Sequence, residues 1–142
     1  MGSTHLTDEG GQSLIEVGLA LPLLLLLLLG LVDGARAYHS ASTTANAARE
    51  GANYAARNST ATRAQVAQRV CDATGFAAFG SACPATVHVS CFATADDVSV
   101  EVVYDFSLLT ASVVDAAFKV NPLSIRASVR FPNLTGASPC AS

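Results

Sequence analysis

Polar residues occupy the chain as far as Gly11, and an almost wholly apolar run then extends from Leu14 to Val32. Those nineteen residues are apolar or glycine except for Glu16 and Pro22. A buried helix of a soluble protein is the poorer reading, since no such helix needs the seven consecutive leucines Leu23–Leu29. About 20 such residues cross a bilayer as a helix. The pattern predicts a polar leader at residues 1–11 and a transmembrane segment at 12–33, with Leu14, Leu19, Pro22, Leu23, Leu29 and Val32 among its membrane-facing positions. Pro22 lacks a backbone donor and predicts a kink, which membrane helices tolerate.

Beyond Asp33 the pattern changes to small residues at helical spacing. Tyr38, Ala41, Ala45, Ala48, Ala52 and Ala55 form one stripe. Joined to the apolar run, this predicts one helix from about Ser13 to Arg57, roughly 68 Å long at 1.5 Å per residue. A small-residue stripe admits close approach, either by another helix or by the chain's own sheet. Asn58-Ser59-Thr60 breaks the helix, and Ser59 or Thr60 can cap a second one through Val70, closed by Gly75. The alanine-rich helical region thus covers 34–75. Phe76–Gly80 reads as a loop carrying two aromatic rings towards a core.

The remainder alternates at period two. Val87, Val89 and Cys91 share one face, with His88 and Ser90 on the other. Val98, Val100, Val102, Tyr104, Phe106 and Leu108 make the second strand face. Leu123, Ile125, Ala127, Val129 and Phe131 make the third. A turn at Ala95-Asp96-Asp97 joins the first two as a hairpin, and Thr110–Pro122 crosses to the third with a short helix at Ser112–Lys119. One apolar face per strand fits an antiparallel sheet laid against a helix. The fold class is α+β: a long N-terminal helix, its lower half transmembrane, packed on about three antiparallel strands in region 76–142.

Composition sharpens this picture. Half the chain is hydrophobic, 13% is charged and tryptophan is absent, so the globular part has a modest core. Small cores gain most from covalent staples. A net charge of −3 carries no basic footprint for nucleic acid. Four cysteines follow the apolar run, none in C-x-x-C spacing, and an even count points to two disulfides in an oxidising compartment. Three connectivities are open; Cys71–Cys83 would close the loop between helix and sheet, and Cys91–Cys140 would staple the tail to the sheet. These bridges place the β region outside the cytoplasm. The positive-inside rule opposes that, since Arg36 and Arg49 follow the apolar run and no Lys or Arg precedes it.

Glu16 is the chemical oddity. A charged side chain at the bilayer centre costs roughly 2.5–3.5 kcal/mol on insertion scales, and less near the interface. A carboxylate at the head of such a run therefore asks for a partner. Gly11-Gln12-Ser13-Leu14-Ile15-Glu16 followed by a long apolar helix resembles the processing site of type IV pilins and pseudopilins. That resemblance implies cleavage by a prepilin peptidase between Gly11 and Gln12, with Glu16 fifth in the mature chain. Glu16 would then neutralise the new α-amino group of a neighbouring subunit and set the register between subunits.

The resemblance narrows further along the chain. Glu16-Val17-Gly18-Leu19-Ala20-Leu21-Pro22, then Asp33-Gly34-Ala35-Arg36-Ala37-Tyr38 and Ala47-Ala48-Arg49-Glu50-Gly51-Ala52-Asn53-Tyr54, resemble the TadE-like proteins. These are minor pilins or pseudopilins of tight-adherence (Tad/Flp) pilus systems. The acidic leader and Val17 depart from related patterns. The resemblance implies pilus assembly, adhesion or export, with a single-pass location in the cytoplasmic membrane and an extracytoplasmic C-terminal domain. Its implied partners are the lipid bilayer, other pilin or pseudopilin subunits, the prepilin peptidase and the Tad inner-membrane assembly proteins.

Other readings carry less. Ala35-Arg36-Ala37 has the small-x-small form of a signal-peptidase site, but the apolar run is long for a signal peptide and no basic region precedes it. No catalytic fingerprint is present, and the three histidines lie far apart in sequence, so no catalytic residue, metal site or cofactor is expected. His39 reads as interfacial, His88 as a surface residue, and Asp96 and Asp97 as turn residues. A membrane-anchored or secreted disulfide-bonded binding domain is the alternative function.

Overall fold

In the computed structural model, which describes residues 9–76, 80, 82–119 and 122–141, the apolar run and the alanine-rich stretch form a single helix, α1 (Glu9–Arg57). Its 49 residues make it about 73 Å long. After it come α2 (Arg63–Thr74), β1 (Val87–Ala93), β2 (Asp97–Phe106), α3 (Ala111–Phe118) and β3 (Leu123–Pro132). Helix α1 already includes Glu9, ahead of the expected start at Ser13, and continues through Pro22. The leader residues before Glu9, His5 among them, lie outside the described residues, as does the second ring of the 76–80 loop, Phe79.

Burial divides α1 into two parts. Every residue from Gln12 to Val32 is exposed, and Asp33 is the first buried one. Above it the buried positions are Asp33, Ser40, Thr44, Ala47, Ala48, Gly51, Ala52, Ala55 and Ala56, a face at three- and four-residue spacing. This corrects the expected stripe. Ala48, Ala52 and Ala55 are on it, but Ala41 and Ala45 are only half-buried and Tyr38 is 79% exposed. Ser40 and Thr44 take the inner positions instead. The Thr44 hydroxyl donates to the Ser40 carbonyl at 2.7 Å, so it enters the core already satisfied.

Gly51 sets how closely α2 can lie on α1. A Cβ built there would stand 2.5 Å from Val70 Cγ2 and 3.5 Å from Val100 Cγ1, so the absent side chain is what admits both neighbours. Helix α2 begins at Thr62, not at Ser59 or Thr60. The Thr62 hydroxyl accepts from the Gln65 N–H at 3.3 Å, and the Gln65 side chain accepts from the Thr62 N–H at 3.0 Å. Only Thr62 has a glutamine three residues on, which is what a reciprocal cap needs. Gly75 ends the helix at φ 65°, a left-handed conformation that glycine adopts without a Cβ penalty.

The three strands form one antiparallel sheet in the order β1-β2-β3. Val89 pairs with Val102 and Cys91 with Val100; across the other seam Val100 pairs with Val129 and Tyr104 with Ile125. Val98, Val100, Val102 and Phe106 of the central strand are fully or almost fully buried. The three valines pack with Val66 and Val70 of α2 against the alanine face of α1. Strand β3 is at an edge, and its inner residues Ile125, Ala127, Val129 and Phe131 are half-buried. Strand β2 stops at Phe106, short of Leu108, and the crossing segment contains α3 close to its expected position. The Phe76 ring stacks on Tyr104 with centroids 4.4 Å apart, covering one end of the core.

Two disulfides tie the periphery down. Cys71 is bridged to Cys83 and Cys91 to Cys140, with Cα separations of 5.5 and 5.8 Å. Backbone bonds hold the tail as well: the Cys140 N–H donates to the Ala61 carbonyl, and the Arg63 N–H to the Ala141 carbonyl. In the chain-entropy description, closing loops with separations of 12 and 49 residues restrains the unfolded chain by about 3 and about 4 kcal/mol respectively.

Candidate membrane and assembly site

The N-terminal half of α1 carries its side chains outward in all directions. Leu14, Leu19 and Leu23 are between 72% and 77% exposed, and Leu29 and Val32 about 45%. The 11–57 stretch is long and apolar enough to cross a membrane, and its apolar window is not buried anywhere in the molecule. A helix apolar all round is stable only where something other than water surrounds it. Pro22 offers no N–H, so the Gly18 carbonyl one turn back lacks its usual helical donor. A Cβ at Gly18 would meet nothing, which leaves that side of the helix open to a neighbour.

Gly11 and Gln12 lie near the described start of α1. Each glycine lowers helix propensity by about 1 kcal/mol relative to alanine, and Gly10 and Gly11 stand side by side here. The Gly11–Gln12 peptide therefore lies where the helix is intrinsically weak. Glu16 follows Gln12 by four residues, on the same face, and is exposed.

The junction of helix and domain is built on Asp33, which sequence reasoning did not single out. Its carboxylate receives four donors. The Leu109 N–H reaches Oδ1 at 2.9 Å, while the Thr110 N–H and hydroxyl reach Oδ2 at 2.9 and 2.7 Å. Arg36, one turn on, completes the set at 3.3 Å from Oδ1. The Arg36 guanidinium also sits over the Phe106 ring, 5.1 Å from its centroid. A buried carboxylate thus clamps the β2–α3 loop onto α1 directly after the apolar run. The available signal was local: an acid at the end of the run with an arginine three residues later. Its loop partners, 76 and 77 residues away, were not readable from spacing.

The remaining candidates stay apart. His39 is exposed on α1. His88 lies on the outer face of the sheet, 3.5 Å from Asp105, and Asp97 pairs with Arg130 at 3.6 Å. Asp96 is exposed in the β1–β2 turn. Among the described residues no group of three or more His, Cys, Asp and Glu side chains could hold a metal ion.

The long helix with an outward apolar half, the acid at its head and the sheet on its upper half together invite comparison with pilin-like chains. Residues 11–53 match the family model of the TadE-like proteins. The match opens on the Gly11 position and ends within the buried upper part of α1, so the TadE-like segment contains Glu16, the apolar run, Asp33 and Gly51. The sheet and both disulfides lie beyond it. No curated protein and no solved structure matches the chain.

Proposed function

We propose that the chain is a membrane-inserted minor pilin or pseudopilin of a Tad pilus system, assembling through the lower half of α1 in pilus formation, adhesion or export. The observation that carries this reading is the TadE-like segment itself: a glycine and a glutamate five residues apart at the head of a helix whose apolar half is covered by nothing in its own domain. A prepilin peptidase cuts between Gly11 and Gln12. In the mature chain Glu16 meets the α-amino group of a neighbouring subunit, and Leu14–Val32 resides first in the bilayer and then among other subunits. The role is structural, not catalytic. Its partners are the bilayer, fellow pilin or pseudopilin subunits, the prepilin peptidase and the Tad inner-membrane assembly proteins.

The helix crosses the cytoplasmic membrane once, with the sheet outside. Two bridged cysteine pairs support an oxidising location for the domain. Arg36, the first cation after the run, is engaged by Asp33 and Phe106 as part of the folded domain. Cleavage at Ala35-Arg36-Ala37 is disfavoured for the same reason, because it would remove both Asp33 and Arg36 from the loop they hold.

Cross-linking between subunits in membranes tests the assembly role of Glu16. Removing one partner of a buried ion pair typically costs about 3–5 kcal/mol, so Glu16→Ala should reduce subunit association by roughly a hundredfold or more while the domain still folds. Association unchanged by Glu16→Ala would favour a membrane-anchored binding domain with no filament.

A further inference from the structure

We propose that the segment Leu109–Lys119, which includes α3, is a foot that rests on the bilayer surface and seats the domain on the lipid headgroups beside α1. The inference depends on Leu14–Val32 being the bilayer span.

The heights along α1 decide it. Nineteen residues at 1.5 Å each measure about 28 Å, close to the roughly 30 Å of a hydrocarbon core. Asp33 is the next residue, so its Cα stands about 1.5 Å beyond the end of that span. Side chains on a helix lean towards its N-terminus, so the Asp33 carboxylate points back towards the bilayer and not away from it. The Leu109 and Thr110 amides are bonded to that carboxylate at 2.9 Å. The start of α3 is thereby fixed at the level where hydrocarbon gives way to headgroups.

The residues at this level suit that surface. Thr110 is buried by its bonds to Asp33, yet the adjacent Leu109 is 59% exposed. The α3 sequence, Ala-Ser-Val-Val-Asp-Ala-Ala-Phe, is apolar at six of eight positions. Lys119 closes the helix and is exposed, which suits an anionic headgroup. Tyr38 on α1, about 9 Å past Val32, is 79% exposed, as aromatic residues are at membrane–water boundaries. The opposite end of the sheet offers a contrast. Phe92 is also exposed, but it lies beside Ser99, seven residues along β2 from Phe106 and so about 23 Å from the Asp33 end.

The chain contains no tryptophan, so a single introduced indole reports its own depth. The full chain is reconstituted in phosphatidylcholine–phosphatidylglycerol vesicles whose acyl chains are brominated either near the carbonyl end or near the methyl end. Leu109→Trp and Ser112→Trp alter exposed side chains, Leu24→Trp reports the span, and Phe92→Trp reports the far end of the sheet. The expected result is that L109W and S112W lose most of their emission to the shallow bromines and L24W to the deep ones, with F92W unquenched. If L24W is quenched while L109W and S112W both behave like F92W, the foot is overturned and the span stands. If L24W is itself unquenched, the span fails. Blue-shifted but unquenched emission from L109W and S112W would mean that protein, a second copy included, covers this surface, and that too would overturn the proposal.

Discussion

Gly51 lies where three elements meet, and its missing side chain decides their spacing. Val70 of α2 occupies the place a Cβ would take, and Val100 of β2 stands just behind it. Overpacking a filled core typically costs about 1–3 kcal/mol, so Gly51→Ala should lower the stability of the domain by that amount in a urea titration of the full chain in detergent. Gly30→Ala makes the same chemical change in the apolar half, where a Cβ meets nothing within 4 Å, and should leave the domain's midpoint unmoved. Equal midpoints for both variants and the parent would contradict the close α1–α2 contact. At this scale some features were readable and some were not. The Thr62-x-x-Gln65 cap is written in four adjacent residues, yet the cap expected from the sequence is Ser59 or Thr60; the neighbour that makes Gly51 necessary is nineteen residues away across a turn.

At the scale of elements, period-two alternation located all three strands because each has one inner and one outer face, and a slip of one residue would reverse both. The face of α1 was harder to read for the opposite reason. Alanines at 41, 45, 47, 48, 52, 55 and 56 offer several almost equally apolar stripes, so side-chain character alone does not choose between them. The choice is made by Asp33 at one end and Gly51 higher up, which turn Ser40 and Thr44 inward and Tyr38 outward. Asp33 joins the apolar half of α1 to the β2–α3 loop through three hydrogen bonds from that loop. Asp33→Ala should therefore release the loop without unfolding the sheet. Amide hydrogen exchange checks this: the Leu109 and Thr110 amides should change from protected to freely exchanging, while Val100 and Val102 in β2 keep their protection. Continued protection of both loop amides would show that the carboxylate does not hold the loop.

For the molecule as a whole, one continuous helix serves two surroundings. Above Asp33 it is the floor of a small valine–alanine core reinforced by two disulfides. From Leu14 to Val32 it presents apolar side chains nearly all round and one carboxylate, Glu16, and no part of its own domain covers that surface. The α+β architecture was legible because the apolar run, the alanine-rich stretch and the alternating strands differ in period. The junction between the halves was not, because it rests on contacts between residues some 76 positions apart. The central claim, that this helix is a pilin-type assembly element released by a prepilin peptidase, is tested most directly by the mass of the mature N-terminus isolated from its native membrane. A chain beginning at Gln12 is the result predicted. A chain beginning at Met1 or at Tyr38 would contradict it.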